Sequence, residues 1–372
     1  MKYDVAIIGG GLAGLSLCID LRQRGYSVMV IEKGNYPRHK VCGEYISMES
    51  HDYLFRLCPG LSNIKSPTID HFKLSSTGSR EYQTKLDLGG FGVSRYLLEG
   101  LLYDEAVSKG VVFQLKCKAI DIPAVEEGGE YLVKTNKEDI IARLVCNASG
   151  RRSNFEAKET GTSSEGTNYV GIKYHVRLER DPSYVEIHNF PGGYCGVSGI
   201  EDDKTCLCYL VNSKKLNEAA NSIAALERNT LFQNPRLKKI FERADLLFDQ
   251  PLAVSGINFK IKETGNDNVL FVGDSAGSIA PVTGNGMSMA LRSASCLSGL
   301  IDQFFAGSLT RGQMMNNYSC FWEKEFSGRV RSSRRFQKLS EFPLLTNIMI
   351  NILSPFPSVG RRIIRQTHGL PF

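Results

Sequence analysis

Apolar residues open this chain in an unbroken run, Val5-Ala6-Ile7-Ile8, and give way at once to glycine. Such a run marks a strand buried on both faces, so the pattern predicts a central parallel strand. Past Gly9-Gly10-Gly11-Leu12-Ala13-Gly14 the spacing changes. Leu12, Leu15, Ser16, Ile19 and Leu21 recur as a helix that ends near Gly25. A second run, Ser27-Val28-Met29-Val30-Ile31, stops on Glu32 and completes a strand–helix–strand unit. Further strands are expected at Val111-Val112-Phe113, Tyr131-Leu132-Val133 and Leu144-Val145, with a hairpin turn at Glu126-Glu127-Gly128-Gly129.

From about residue 165 to 255 the pattern shifts to partly alternating strands, Tyr169–Val176 and Cys206–Val211. Helical patterns follow around Ser222–Asn229 and Arg236–Ala244, and the tail reads as helices broken by Pro343, Pro355 and Pro357. Four blocks result: 1–160, 161–255, 256–310 and 311–372. In the last, Phe342–Leu353 is apolar nearly all round, and Arg361-Arg362-Ile363-Ile364-Arg365 is both basic and apolar. Two readings stay open there: a surface resting on anionic lipid, and a terminal helix packed on the body.

The glycines carry the first chemistry. In GxGxxG, Gly9 permits a tight turn, Gly11 lets the backbone approach a pyrophosphate, and Gly14 lets the helix pack close to the strand. The helix N-terminus then favours the phosphates. Glu32 lies eighteen residues past Gly14, where a carboxylate would bond ribose hydroxyls.

Composition removes several other classes. A net charge of +6 is mild and its basic residues are spread out, which gives no reason to expect a nucleic-acid partner. The ten cysteines include no CxxC and no zinc spacing, so no metal is expected and the thiols read as reduced, in a cytoplasmic protein. Only Cys296 and Cys320 lie beyond residue 208, too few there to ligate an iron–sulfur cluster. No signal peptide is expected, because Met1-Lys2-Tyr3-Asp4 runs straight into a strand. No window is apolar for long enough to span a bilayer.

Four segments together resemble the family of FAD-dependent reductases, hydroxylases and halogenases that includes geranylgeranyl reductases. They are the unit ending at Glu32; Pro37-Arg38-His39-Lys40-Val41-Cys42-Gly43-Glu44; Val93-Ser94-Arg95-Tyr96-Leu97-Leu98; and Asn268–Gly277 followed by Pro281, Gly284, Gly286 and Met287. The resemblance implies an α/β fold: a Rossmann-type FAD-binding domain, para-hydroxybenzoate-hydroxylase-like, with an inserted β-sheet substrate domain and a helical C-terminus. It implies FAD as cofactor, held by Gly9, Gly11, Leu12, Ala13, Gly14, Glu32, Lys33, Cys42, Gly43, Arg95, Ser149, Gly150, Asp274, Pro281, Gly284, Gly286 and Met287. Asp274 matches the family's ribityl-binding aspartate. Pro281–Met287 matches its stretch beside the flavin ring, where bare glycine backbone can approach a planar group.

The reaction is narrowed by departures from the family's patterns. Many aromatic hydroxylases carry Asp-Gly where this chain has Ser149-Gly150. The halogenase Trp-x-Trp motif is absent, since the single tryptophan is Trp322. Cys42 matches a cysteine of the resembling geranylgeranyl reductases and is the catalytic candidate, as a proton donor; a small space-filling thiol is the other reading. Glu44 and Tyr194 are expected in the substrate pocket. The expectation is reduction of carbon–carbon double bonds in a hydrophobic isoprenoid- or polyene-like substrate, with NADPH or a redox protein as electron donor. A monooxygenase and an electron-transfer flavoprotein are the alternatives.

Overall fold

A computed structural model of the chain describes residues 2–372 except 79, 124–128, 152–154, 156–167, 258, 260–261 and 267–268. Part of the expected turn at 126–129, together with Arg152, Ser153 and Asn268, lies outside the described residues.

The opening apolar run becomes the strand Lys2–Ile8, which pairs in parallel with Val28–Glu32 on one side and Ile140–Asn147 on the other. Val112–Leu115 extends the sheet beyond Val28–Glu32, and Leu270–Phe271 pairs with Ile140–Asn147. Tyr131–Thr135 and Ala119–Asp121 complete seven strands, joined antiparallel. Helix Leu12–Gln23 covers one face of this sheet; it packs against Gly286–Phe305 and Arg95–Ser108. Its residues are buried almost all round, which explains why its sequence lacks a polar face.

Among the described residues a second sheet has nine strands. In order they are Asp245–Leu246, Tyr169–Arg177, Lys204–Asn212, Gly193–Gly199, Tyr184–Phe190, Thr68–Ser75, Glu81–Gly92 and Tyr45–Ser47, with Leu252–Ile257 beside Tyr169–Arg177. The sheet expected from 161–255 alone therefore also takes three strands from the block 1–160. The join is parallel: Thr68–Ser75 runs alongside Tyr184–Phe190. The sequence pattern does not reveal it, because strand pairing across this separation leaves no local signal.

Both faces of the second sheet are covered. Ile172, Tyr174, Cys195, Leu207 and Tyr209 pack under the helices of 213–243. On the other face Leu74, Tyr82, Ile187, Tyr194 and Leu210 meet Ile350 and Leu353 of the tail helix Pro343–Leu353. A large cavity lies on this side, bordered by both sheets and the tail.

Candidate active site

The glycine turn is shaped for close approach. Gly9 has φ +99°, and a Cβ there would meet Ser149 Cα at 2.6 Å. A Cβ on Gly14 would lie 2.0 Å from the Gly9 carbonyl, so this position accepts only glycine. Among the described residues no side chain caps helix Leu12–Gln23, and no acid sits in its first turn. Its leading N–H groups are thus available to an anion.

Cations gather beside this turn. Lys40 Nζ would stand 3.2 Å from a Cβ on Gly11 and lies 3.1 Å from Glu99 Oε1. Arg95 pairs with the same carboxylate one helical turn away, and Arg38 Nε lies 3.6 Å from it. Arg38 also pairs with Glu32 at 2.5 Å. Two buried acids thus face three cations, leaving a positive excess for a diphosphate. Burial, reinforced by Arg95, pushes the Lys40 ammonium down to about 8. For Glu99, burial opposes ionisation, but Arg95 and Lys40 outweigh it and hold the carboxyl below its usual range.

Glu32 stands at the end of its strand, as expected, with its oxygens engaged by the chain itself. Oε2 accepts from Gly10 N–H at 2.7 Å, and Oε1 from Gly34 N–H and Arg38. At the far side of the first sheet Asp274 accepts from Arg151 Nε at 3.2 Å, and Ser275 Oγ accepts from Gly150 N–H. Gly284 takes φ +67° against the Tyr45 ring. The residues named from sequence as cofactor-binding all line one cavity of about 1420 Å³, save Gly14, which packs against Gly9. Glu44 and Tyr194 line it too. A single drug-sized ligand needs roughly 300–1,000 Å³, so the volume admits a dinucleotide and a second molecule.

Glu44 anchors a buried ionic cluster. It is fully buried at φ +58°, and its carboxylate accepts from Arg95 N–H, Lys173 Nζ and, at 2.6 Å, pairs with His175 Nε2. Burial opposes the charge, yet the His175 bond and the Lys173 charge hold Glu44 below the usual carboxylate range. Lys173 also donates to the Lys40 carbonyl at 3.1 Å. Cys206 comes within 4.8 Å of the Glu44 and His175 ligand atoms, but its thiol donates to the Cys42 carbonyl. Burial pushes that thiol up, away from the thiolate a metal would need.

Cys42 sits where these groups meet. Its Sγ accepts from Glu44 N–H at 3.5 Å, and Cys42 and Arg95 both line the cavity. Trp322, by contrast, is buried against Phe326 in the core of the first sheet's domain, away from the cavity wall.

Sequence reasoning did not single out Glu99, Lys173 or His175. Glu99 follows Arg95 by four residues, a spacing that puts the pair on one helix face. Lys173 and His175 are polar at i and i+2 in an otherwise apolar strand, so both point to the same side. Those were the available signals.

The FAD binding domain family matches residues 2–312. The chain belongs to this family. Its cofactor is FAD, and it is an FAD-dependent oxidoreductase with the fold of that family. Among its relatives, conditioned medium factor receptor 1 of Dictyostelium discoideum is 23% identical, over 94% of this chain and 73% of that protein. Digeranylgeranylglycerophospholipid reductase 1 of Methanopyrus kandleri is 22% identical, over 91% of each. Of solved structures, the myxobacterial chondrochloren halogenase CndH superposes with TM-score 0.81 at 18% identity, covering 97% of this chain and 90% of that one. A geranylgeranyl bacteriochlorophyll reductase-like protein of Thermoplasma acidophilum gives 0.79 at 19%, covering 98% and 95%. These likenesses establish the fold. They span reductases and halogenases alike.

Proposed function

We propose that this flavoprotein reduces carbon–carbon double bonds of a long apolar substrate of isoprenoid or polyene type. The observation that carries this reading is the continuity of the cavity. Beyond the residues suited to FAD it runs on between the second sheet and the tail helices, walled by Phe72, Leu74, Ile187, Leu210, Met349 and Leu353. Such a wall favours a molecule that is apolar along its length. The reductase relative from Methanopyrus kandleri supports the same substrate class.

The Gly9–Gly14 turn, Lys40 and Arg95 would hold the diphosphate, and Asp274 and Pro281–Met287 the flavin end. Reduced FAD, when bound, supplies a hydride. Cys42 Sγ holds the proton that the second alkene carbon takes, so each double bond gains one hydrogen pair. The Glu44 N–H faces the sulfur that gives up this proton. Glu44, fixed by Lys173 and His175, keeps that N–H in place. The apolar chamber excludes water from the reacting carbons.

Anaerobic mixing of the reduced protein with polyprenyl and aryl-polyene compounds tests this. Flavin reoxidation with a product heavier by one hydrogen pair per bond is expected. Cys42→Ala should retain FAD and lose at least about tenfold in turnover. Products that carry oxygen, formed only in air, would establish the monooxygenase instead. Reoxidation by a protein partner alone would establish electron transfer.

A further inference from the structure

The tail helix Pro343–Leu353 has two apolar faces, and only one is used by the fold. Thr346, Ile350 and Leu353 turn inward and are buried. Leu344, Ile348 and Ile352, at successive turns, point outward and are 71%, 48% and 61% exposed. Phe356, in the link to helix Pro357–Arg365, is 60% exposed beside them. Isolated exposed apolar residues are ordinary, but a stripe along three turns implies something that covers it.

Charge says what covers it. Residues 328–372 contain eight Arg and Lys against a single acid, Glu341, whereas the rest of the chain carries a net −1. Glu341 is itself engaged, by the Tyr169 hydroxyl and by Asn212. Arg335 and Lys338 before the stripe and Arg361, Arg362 and Arg365 after it are exposed. An apolar stripe between exposed cations matches an anionic interface: the greasy side chains enter the acyl boundary and the cations meet the headgroups. No helix among the described residues is long and apolar enough to cross a membrane, so such contact lies on the surface.

We propose that this outer face of the tail helices docks the protein on an anionic lipid bilayer. The helix Pro343–Leu353 carries the docking stripe on one side and chamber wall on the other, Met349 and Leu353 among it. Docking therefore sets the chamber beside the phase in which long apolar molecules dissolve. That use of the surface rests on the proposed function; the docking itself does not.

Flotation of the FAD-loaded full chain with phosphatidylcholine vesicles, with and without phosphatidylglycerol, reads the docking without any turnover. Binding that requires phosphatidylglycerol and weakens in high salt is expected. Ile352→Glu with Phe356→Glu should lower partitioning at least about tenfold, and Arg361→Glu with Arg362→Glu should abolish the preference for the anionic lipid. Flavin absorbance and melting temperature establish that each variant is folded. Failure to float with either vesicle would overturn the proposal. So would wild-type flotation by the variants, or a dimer seen by light scattering that the same substitutions dissolve. Loss of the reductase reading alone would leave the flotation result unchanged.

Discussion

Lys40 is the cation beside the glycine turn whose charge is least secure. Burial and the neighbouring Arg95 bring it down to about 8 in the ligand-free chain. A diphosphate next to Nζ stabilises the ammonium, so binding raises that value and affinity for FAD declines as pH climbs past 8. Flavin fluorescence titrations from about pH 7 to 10 should show the Kd rising in the wild type. Lys40→Met should start about tenfold or more weaker and vary little, from loss of a charged contact of roughly 1.5–3 kcal/mol. A wild-type Kd that stays constant across the range would remove Lys40 from the phosphate site. At this scale the glycines were readable because their spacing is local and chemically constrained, whereas Arg95 and Asp274 were readable only because their segments resemble those of a known family. Glu99 was not readable, because a charge four residues from Arg95 on one helix ordinarily belongs to a solvated face, and Lys173 was not, because its partner Glu44 lies in a separate element and leaves no periodicity.

Among elements, the segment 40–44 is the hinge pin between helix Arg95–Ser108 and strand Tyr169–Arg177. Glu44 reaches the first through the Arg95 N–H and the second through Lys173 and His175. Its left-handed backbone turns the carboxylate toward both. Glu44→Gln would leave the Lys173 ammonium buried opposite a neutral amide. A loss of about 3–5 kcal/mol is expected, because half a buried pair keeps the desolvation cost without the attraction. Urea unfolding of the FAD-free protein measures it, and an unchanged midpoint would mean the cluster holds nothing. The strands and helices themselves were largely legible: Tyr169–Arg177 and Lys204–Asn212 appear where alternation placed them. Which strands share a sheet was not, since Thr68–Ser75 and Glu81–Gly92 join partners far along the sequence.

For the whole molecule, buried carboxylates set the acid limit of stability. Glu32, Glu44 and Glu99 all ionise more readily folded than unfolded, and paired Glu186 reaches about 2 despite its burial. Depressed folded values mean stability that is complete above an unfolded value near 4.5 and disappears as pH falls through the folded one. Glu186 alone then contributes on the order of 3 kcal/mol at neutral pH. Guanidinium midpoints should fall steeply between about pH 4.5 and 2, and less steeply in Glu186→Gln; an equal slope in both would sink this assignment. The parallel join of Thr68–Ser75 to Tyr184–Phe190 has a further consequence, for synthesis. As the ribosome releases the chain, the earlier strand can pair at once with Glu81–Gly92 but must wait roughly a hundred residues for its parallel neighbour. The nucleotide-binding strands that bracket it can pair meanwhile. The chamber is therefore the late-closing part of the nascent protein, and its greasy wall stays open to chaperones until the tail emerges to roof it.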